Sequence, residues 1–189
     1  MSLKSICVFC GASKAVSAIY TDAARELGYI FADAGIELIY GGGSYGLMGE
    51  ISDAVIEKGG RAIGFMPEDL LQFEGPNNKI TELTMVSNMH ERKKNMFKQA
   101  GAFVTLPGGF GTFDELFEVI TWKKLHFHSK SIVIVDIDGY WGHLKLMLDR
   151  MIKERFAGPE VNNLYIFVNS VEEVLPAIMS QENYRDAEE

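Results

Sequence analysis

Pro107-Gly108-Gly109-Phe110-Gly111-Thr112-Phe113-Asp114-Glu115 concentrates residue types suited to holding an anion. The apolar run Ala102–Leu106 before it reads as a buried strand, and Leu116–Trp122 after it as a helix. A glycine-rich turn in that position presents bare backbone N–H groups at the positive end of a helix dipole, and a phosphate is the natural occupant. Gly108, Gly109 and Gly111 leave the room and backbone freedom for close approach. Glu115 is an odd neighbour for a phosphate. Two readings of it stand. Thr112 and Glu115 have the spacing of a capping box. Alternatively, a carboxylate held beside a bound sugar phosphate is placed for acid, base or electrostatic work.

The second chemistry-bearing stretch is Asn88–Phe97. Asn88 can cap a helix, with Glu91 in the reciprocal position. Met89, Arg92, Lys93, Met96 and Phe97 then share a face by helical spacing. Their cations either snorkel to water over apolar surface or face a cleft that holds an anion, and the cleft is favoured. Gly41, Gly43 and Gly46 satisfy G-x-G-x-x-G. A dinucleotide fingerprint belongs at the first strand, however, with an acidic residue ending the next one. This motif follows the second strand, so it reads as a tight turn that lets another ligand approach at Gly43. Cys7 and Cys10 form C-x-x-C inside a strand-like run, where they point to opposite faces, and they read as reduced core thiols. His90, His126, His128 and His143 make no metal pattern, so no metal is expected. Ser13 and Ser44 lack a nucleophile-elbow context.

The elements that must position these residues alternate along the chain. Strands are expected at Ser5–Cys10, Ile36–Tyr40, Arg61–Phe65, Leu83–Val86, Ala102–Leu106, Ser131–Asp136 and Tyr165–Val168. These runs are apolar on both sides, the pattern of a parallel sheet covered on both faces. Helices are expected on the Tyr20, Ala24, Leu27, Phe31 stripe closed by Gly35, and at Gly46–Lys58, Asn88–Ala100, Thr112–Leu125, Tyr140–Phe156 and Val171–Ser180. The pattern implies a doubly wound, Rossmann-like α/β fold with a mainly parallel sheet of six to seven strands. In such a fold the turns at Gly11–Ser13, Gly41–Gly49, Asn88–Lys93 and Pro107–Glu115 converge on one sheet edge, where ligands bind. Gln72–Lys79 reads as a loop able to fold over that site. The 189 residues are expected to form one domain, with residues 181–189 a frayed acidic tail.

With 47% hydrophobic residues, including 12 Phe and 9 Met, the chain can build a full core. A net charge of −8 argues against a nucleic-acid partner. No apolar run approaches a membrane span, and no signal peptide is visible, so a cytoplasmic location is expected.

The residues resemble the LONELY GUY (LOG) family. Pro107–Glu115 is similar to its P-G-G-x-G-T-x-x-E signature, and Met89-His90-Glu91-Arg92-Lys93 to its M-x-x-R-K element. Gly41–Gly49 looks like its G-G-G-x-x-G-L-M-G turn, and Cys7–Ser13 like its C-V-F-C-G-S-S start. Order and spacing agree from Ile6 to about Ile178. Ala12 stands where serine is common, and Asp114 where glutamate is common. The resemblance implies a cytokinin riboside 5′-monophosphate phosphoribohydrolase, cleaving N6-substituted AMP or AMP into free base and ribose 5-phosphate. It implies Arg92 and Glu115 as the catalytic pair. Substrate contacts would come from Glu74, Lys93, Gly108, Gly109, Phe110, Gly111, Thr112, Phe113, Asp114 and Thr121; Met89, on the cleft face with Arg92, is expected at the same site. A homodimer with its site near the subunit interface, and no cofactor, would follow. Relatives also carry the label "possible lysine decarboxylase", which would require pyridoxal phosphate. A nucleotide-binding module without turnover is the other alternative.

Overall fold

Apolar residues on both sides of a strand demand cover on both faces, and the chain supplies it. A computed structural model describes residues 3–186. The strands are β1 (Ser5–Phe9), β2 (Glu37–Tyr40), β3 (Ala62–Pro67), β4 (Glu82–Val86), β5 (Ala102–Thr105), β6 (Ile132–Val135) and β7 (Ile166–Val168). The helices are α1 (Ala18–Asp33), α2 (Gly46–Glu57), α3 (Leu71–Glu74), α4 (Met89–Gln99), α5 (Phe110–Lys124), α6 (Gly142–Lys153) and α7 (Val174–Asp186). All seven strands join one sheet in the order β4-β3-β2-β1-β5-β6-β7. Every neighbouring pair is parallel. The doubly wound α/β expectation therefore holds.

Alternation along each strand divides the core in two. Ile6, Val8 and Cys10 face one layer, with Ala24, Leu27 and Phe31 of α1, Leu47, Ile51 and Val55 of α2, and Val174 and Ile178 of α7. Cys7 and Phe9 face the other, with Met96 of α4, Leu116 and Val119 of α5, and Leu144 and Leu148 of α6. The cysteines thus point to opposite faces. Both thiols are free, and burial pushes both above their usual range.

The order also sets where a ligand can bind. The chain steps outward from β1 to β4, then returns to lay β5 against the other side of β1. Helices leaving β1 and β5 diverge to opposite faces, which opens a crevice at their carboxyl ends.

Several boundaries differ from expectation. α5 starts at Phe110, not Thr112, with Gly109 as N-cap and no side-chain cap. Thr112 is therefore already inside the helix, and its capping box with Glu115 does not form. Before α6, a 3-10 turn over Ile137–Gly139 delays the helix to Gly142. The stretch expected as a loop at 72–79 begins in the helical turn α3 and is pinned down. Pro76 bridges Gly43, and the Asn77 side chain donates to Ser52 at 3.0 Å and Asp53 at 3.1 Å. α7 continues to Asp186, so most of the expected tail is helical, while residues 187–189 lie outside those described.

Candidate active site

Sheet-edge turns converge on a cavity of about 590 Å³ at the β1–β5 switch point, a size usual for small-ligand sites. Its walls include Gly11–Ser13 after β1, Gly41 after β2, Gly108, Gly109, Gly111, Thr112 and Glu115 from the β5–α5 turn, and Met89 and Arg92 from α4.

The β5–α5 turn is built to leave donors open. The first N–H groups of a helix have no intrahelical acceptor, and α5 has no capping side chain to meet them. A Cβ on Gly109 or Gly111 would meet nothing within 4 Å, so both border open space. Gly108 is different. A Cβ there would lie 2.1 Å from Thr112 Oγ1 and 2.8 Å from the Gly11 amide nitrogen. The turn is tied to β1 by the Gly11 N–H, which donates to the Pro107 carbonyl at 3.1 Å.

α4 delivers Arg92. Asn88 Oδ1 accepts from the Glu91 N–H at 2.9 Å, capping the helix. The Glu91 carboxylate reaches one residue further upstream than reciprocal capping requires, to the Ser87 N–H at 2.8 Å. With the start of α4 fixed, Arg92 lies one turn in and is only 3% exposed. It does not snorkel to water. Its Nη2 donates to the Gly41 carbonyl at 2.9 Å and to Glu74 Oε2 at 3.1 Å, while Nε has no partner among the described residues. A Cβ on Gly41 would lie 2.0 Å from Nη2. The second glycine-rich turn is thus a socket for a guanidinium.

Glu115 is half-buried in the cavity wall. Burial raises its carboxyl to about 7; the Arg92 charge pulls the other way, and Glu74 and Asp114 raise it further. A carboxyl near neutrality can exchange a proton under ordinary conditions.

Among the residues expected at the site, Arg92, Glu115, Glu74, Met89, Gly108, Gly109, Gly111 and Thr112 line this cavity. Five others lie outside this cavity in one copy of the chain. Phe110 is 97% exposed. Phe113, Asp114 and Thr121 border a shallow groove with Trp122. Lys93 pairs with Asp114 and Glu118, each at 3.0 Å, in a neighbouring groove. The cause is helical geometry. Residues 112 and 115, or 89 and 92, share a face at i, i+3, whereas an adjacent residue turns about 100° away. Gly43 does not line the cavity; it packs beneath Met48 and bridges Pro76, next to Glu74. Reading the sequence missed Cys10, Tyr20 and Tyr140 as cavity residues. Tyr140 follows the sixth strand, so the sheet-edge rule applied to that turn would have found it.

A family model described as "Possible lysine decarboxylase" matches residues 48–178. The probable cytokinin riboside 5′-monophosphate phosphoribohydrolase LOGL3 of Oryza sativa subsp. japonica is 39% identical over 183 residues, 97% of this chain and 87% of that one. The cytokinin riboside 5′-monophosphate phosphoribohydrolase LOG1 of Arabidopsis thaliana is 41% identical over 172 residues, 91% of this chain and 81% of that one. The chain belongs to the LONELY GUY family. The chain also shares its fold with a molybdenum cofactor binding protein from Rippkaea orientalis, at a TM-score of 0.72 and 18% identity over 95% of this chain and 98% of that one. The molybdenum cofactor carrier protein of Chlamydomonas reinhardtii fits similarly, at 0.71 and 18% identity over 96% and 99%. At that identity the likeness concerns the fold alone.

Proposed function

We propose that this protein hydrolyses the N-glycosidic bond of a cytokinin riboside 5′-monophosphate, an N6-substituted AMP, or of AMP itself, giving free base and ribose 5-phosphate. The observation that carries this reading is one cavity holding both an uncapped helix start and a carboxyl raised to about 7. The 5′-phosphate lies against the N–H groups at the start of α5. As C1′–N9 breaks, positive charge builds on the sugar, and the Glu115 carboxylate stabilises it or takes a proton from the attacking water. The water oxygen bonds to C1′, and the base leaves with a proton. Arg92 opposes the burial-driven rise of the Glu115 carboxyl and keeps more of it ionised near neutrality. Relatives named for this reaction at about 40% identity support the assignment.

The decarboxylase label asks for a lysine able to form a Schiff base with pyridoxal phosphate. Among the described residues lining the cavity none is a lysine, and Lys93 is bound to two carboxylates outside it. The donor set does not fit that cofactor. A homodimer belongs to this reading: exposed Phe127 lines the groove that holds Lys93, and Phe110 and Leu125, at the two ends of α5, are exposed as well, an apolar surface for a second copy. Among the described residues no helix is long and apolar enough to cross a membrane, and a cytoplasmic site of action is part of the proposal.

The test is a panel of nucleoside monophosphates, including AMP and isopentenyladenosine monophosphate, with kcat/KM from chromatography of released base. Absence of base from every member defeats the hydrolase reading. Tight nucleotide binding without turnover selects the binding-module alternative.

A further inference from the structure

The connection between β6 and α6 sends one aromatic side chain into the cavity. The Tyr140 hydroxyl donates to the Gly108 carbonyl oxygen at 2.6 Å. That carbonyl belongs to the peptide whose N–H is on Gly109, at the mouth of the anion turn. In a trans peptide the C=O and the N–H point in opposite directions. Holding the Gly108 oxygen toward Tyr140 therefore turns the Gly109 N–H away from it. We infer that Tyr140 is a positioning residue for phosphate: its hydroxyl sets the orientation of the Gly108–Gly109 peptide and so aims a donor of the cradle.

Three observations separate this from a structural role. First, the connection is anchored without the hydroxyl. The Trp141 N–H donates to Asp136 Oδ1 at 2.8 Å, and the buried Trp141 indole donates to the Val135 carbonyl at 3.1 Å. Second, the backbone is shaped to bring Tyr140 over the turn. Asp138 and Gly139 are both left-handed, at φ 53° and 70°, a pair of conformations that reverses the chain just before the tyrosine. Third, the other three sides of the turn are already held. Gly11 binds Pro107, Thr112 Oγ1 crowds Gly108, and the Phe113 N–H binds the Gly109 carbonyl at 3.0 Å. The orientation of the Gly108–Gly109 peptide is what remains, and Tyr140 is the side chain that holds it. Its ring, 40% exposed, sits edge-on to Tyr20 and to Trp141, with centroids 5.9 and 4.9 Å away.

The inference rests on the hydrolase reading for the identity of the ligand, so its test is a binding experiment that needs no turnover. Titrate wild type and Tyr140→Phe with ribose 5-phosphate and, separately, with free adenine, following heat. The expected result is a ~3–10-fold loss of affinity for ribose 5-phosphate, the scale of one hydrogen bond, with adenine binding unchanged. KM for the nucleotide rises by the same factor while kcat changes less than about twofold. The thermal midpoint stays within ~1 °C, because the connection keeps its other anchors. Unchanged affinity for ribose 5-phosphate overturns the inference, as does an equal loss for adenine, or wild type that fails to bind ribose 5-phosphate at all. Wild type that binds ribose 5-phosphate but releases no base defeats the hydrolase reading and leaves this one standing.

Discussion

Two glycine-rich turns look alike in the sequence, yet one is filled by the protein itself and the other is open. Gly41–Gly49 and Pro107–Glu115 each join a buried parallel strand to a helix at the same sheet edge. In the first, the polar backbone is bound within the protein. The Gly41 carbonyl takes Arg92, the Gly42 carbonyl takes the Asn77 N–H, the Ser44 N–H donates to Gly75, and the Leu47 N–H donates to Gly11. In the second, the helix start is uncapped, and Gly109 and Gly111 border empty space. A glycine-rich turn is an anion cradle only when the rest of the fold leaves its donors unclaimed. When neighbouring chain claims them, the same composition becomes a structural socket.

Substitutions at the two turns should separate these roles. The largest effect is expected at the cradle's carboxylate. Glu115→Gln should fold normally and lower kcat by ~10²–10⁴, the usual scale for losing an acid–base group. Wild-type kcat/KM should rise through a limb near pH 7 as the carboxyl ionises, and the variant should lack that limb. A full pH–rate profile of both proteins checks this, and a normal rate in the variant would remove Glu115 from the chemistry.

Next comes the socket. Gly41→Ala places a methyl 2.0 Å from Arg92 Nη2, so the guanidinium must shift from its hydrogen bonds to Gly41 and Glu74. The expected outcome is a fall in kcat of ~10–10³ together with lost stability, because displacing Arg92 strands its buried partners. Urea denaturation alongside kinetics decides it; an active, stable variant would contradict the socket.

The cradle glycines should respond in the opposite sense. Gly111→Ala lies in the first turn of α5, where the methyl meets no atom. Alanine there should stabilise the fold by ~0.5–1 kcal/mol, while the methyl intrudes on the phosphate and raises KM ~5–20-fold. A more stable protein with weaker substrate binding is the signature of a vacant cradle, and an unchanged KM would argue that no phosphate lies there.

The last effect is thermodynamic and leaves turnover aside. Glu115 has a carboxyl raised from 4.5 to about 7 in the folded protein, so the native state binds its proton more tightly than the unfolded state does. Its contribution to stability is complete below about pH 4.5 and is lost as pH rises through about 7. Glu115→Gln should therefore be more stable than wild type at pH 8, by up to ~2–3 kcal/mol, and the gap should close toward pH 5. Urea unfolding of both proteins across that range measures it.

Much of this was legible before any coordinates. Continuous apolar runs such as Ile132–Val135 announced a parallel sheet covered on both faces, because period and composition are local properties. Arg92, Glu115 and the open turn at Gly108–Thr112 stood out by residue type and spacing. Legibility ended where long-range contact decides. Nothing local distinguishes Gly41, beneath a guanidinium 51 positions later, from Gly109, beside a void. Nothing local turns Lys93 toward Asp114 and Glu118 while Arg92 enters the cavity.

The sequence by itself determined the strand–helix alternation and the glycine-rich turn before α5, and marked Glu115 and Arg92 as the proposed acid and cation, since these follow from side-chain chemistry and periodicity along one chain. The tertiary structure alone decided which donors stay unclaimed, which glycine turn serves as socket, and how far the Glu115 carboxyl is raised toward neutrality. Those depend on burial and on atoms brought close from distant segments, and neither quantity exists until the sheet is assembled.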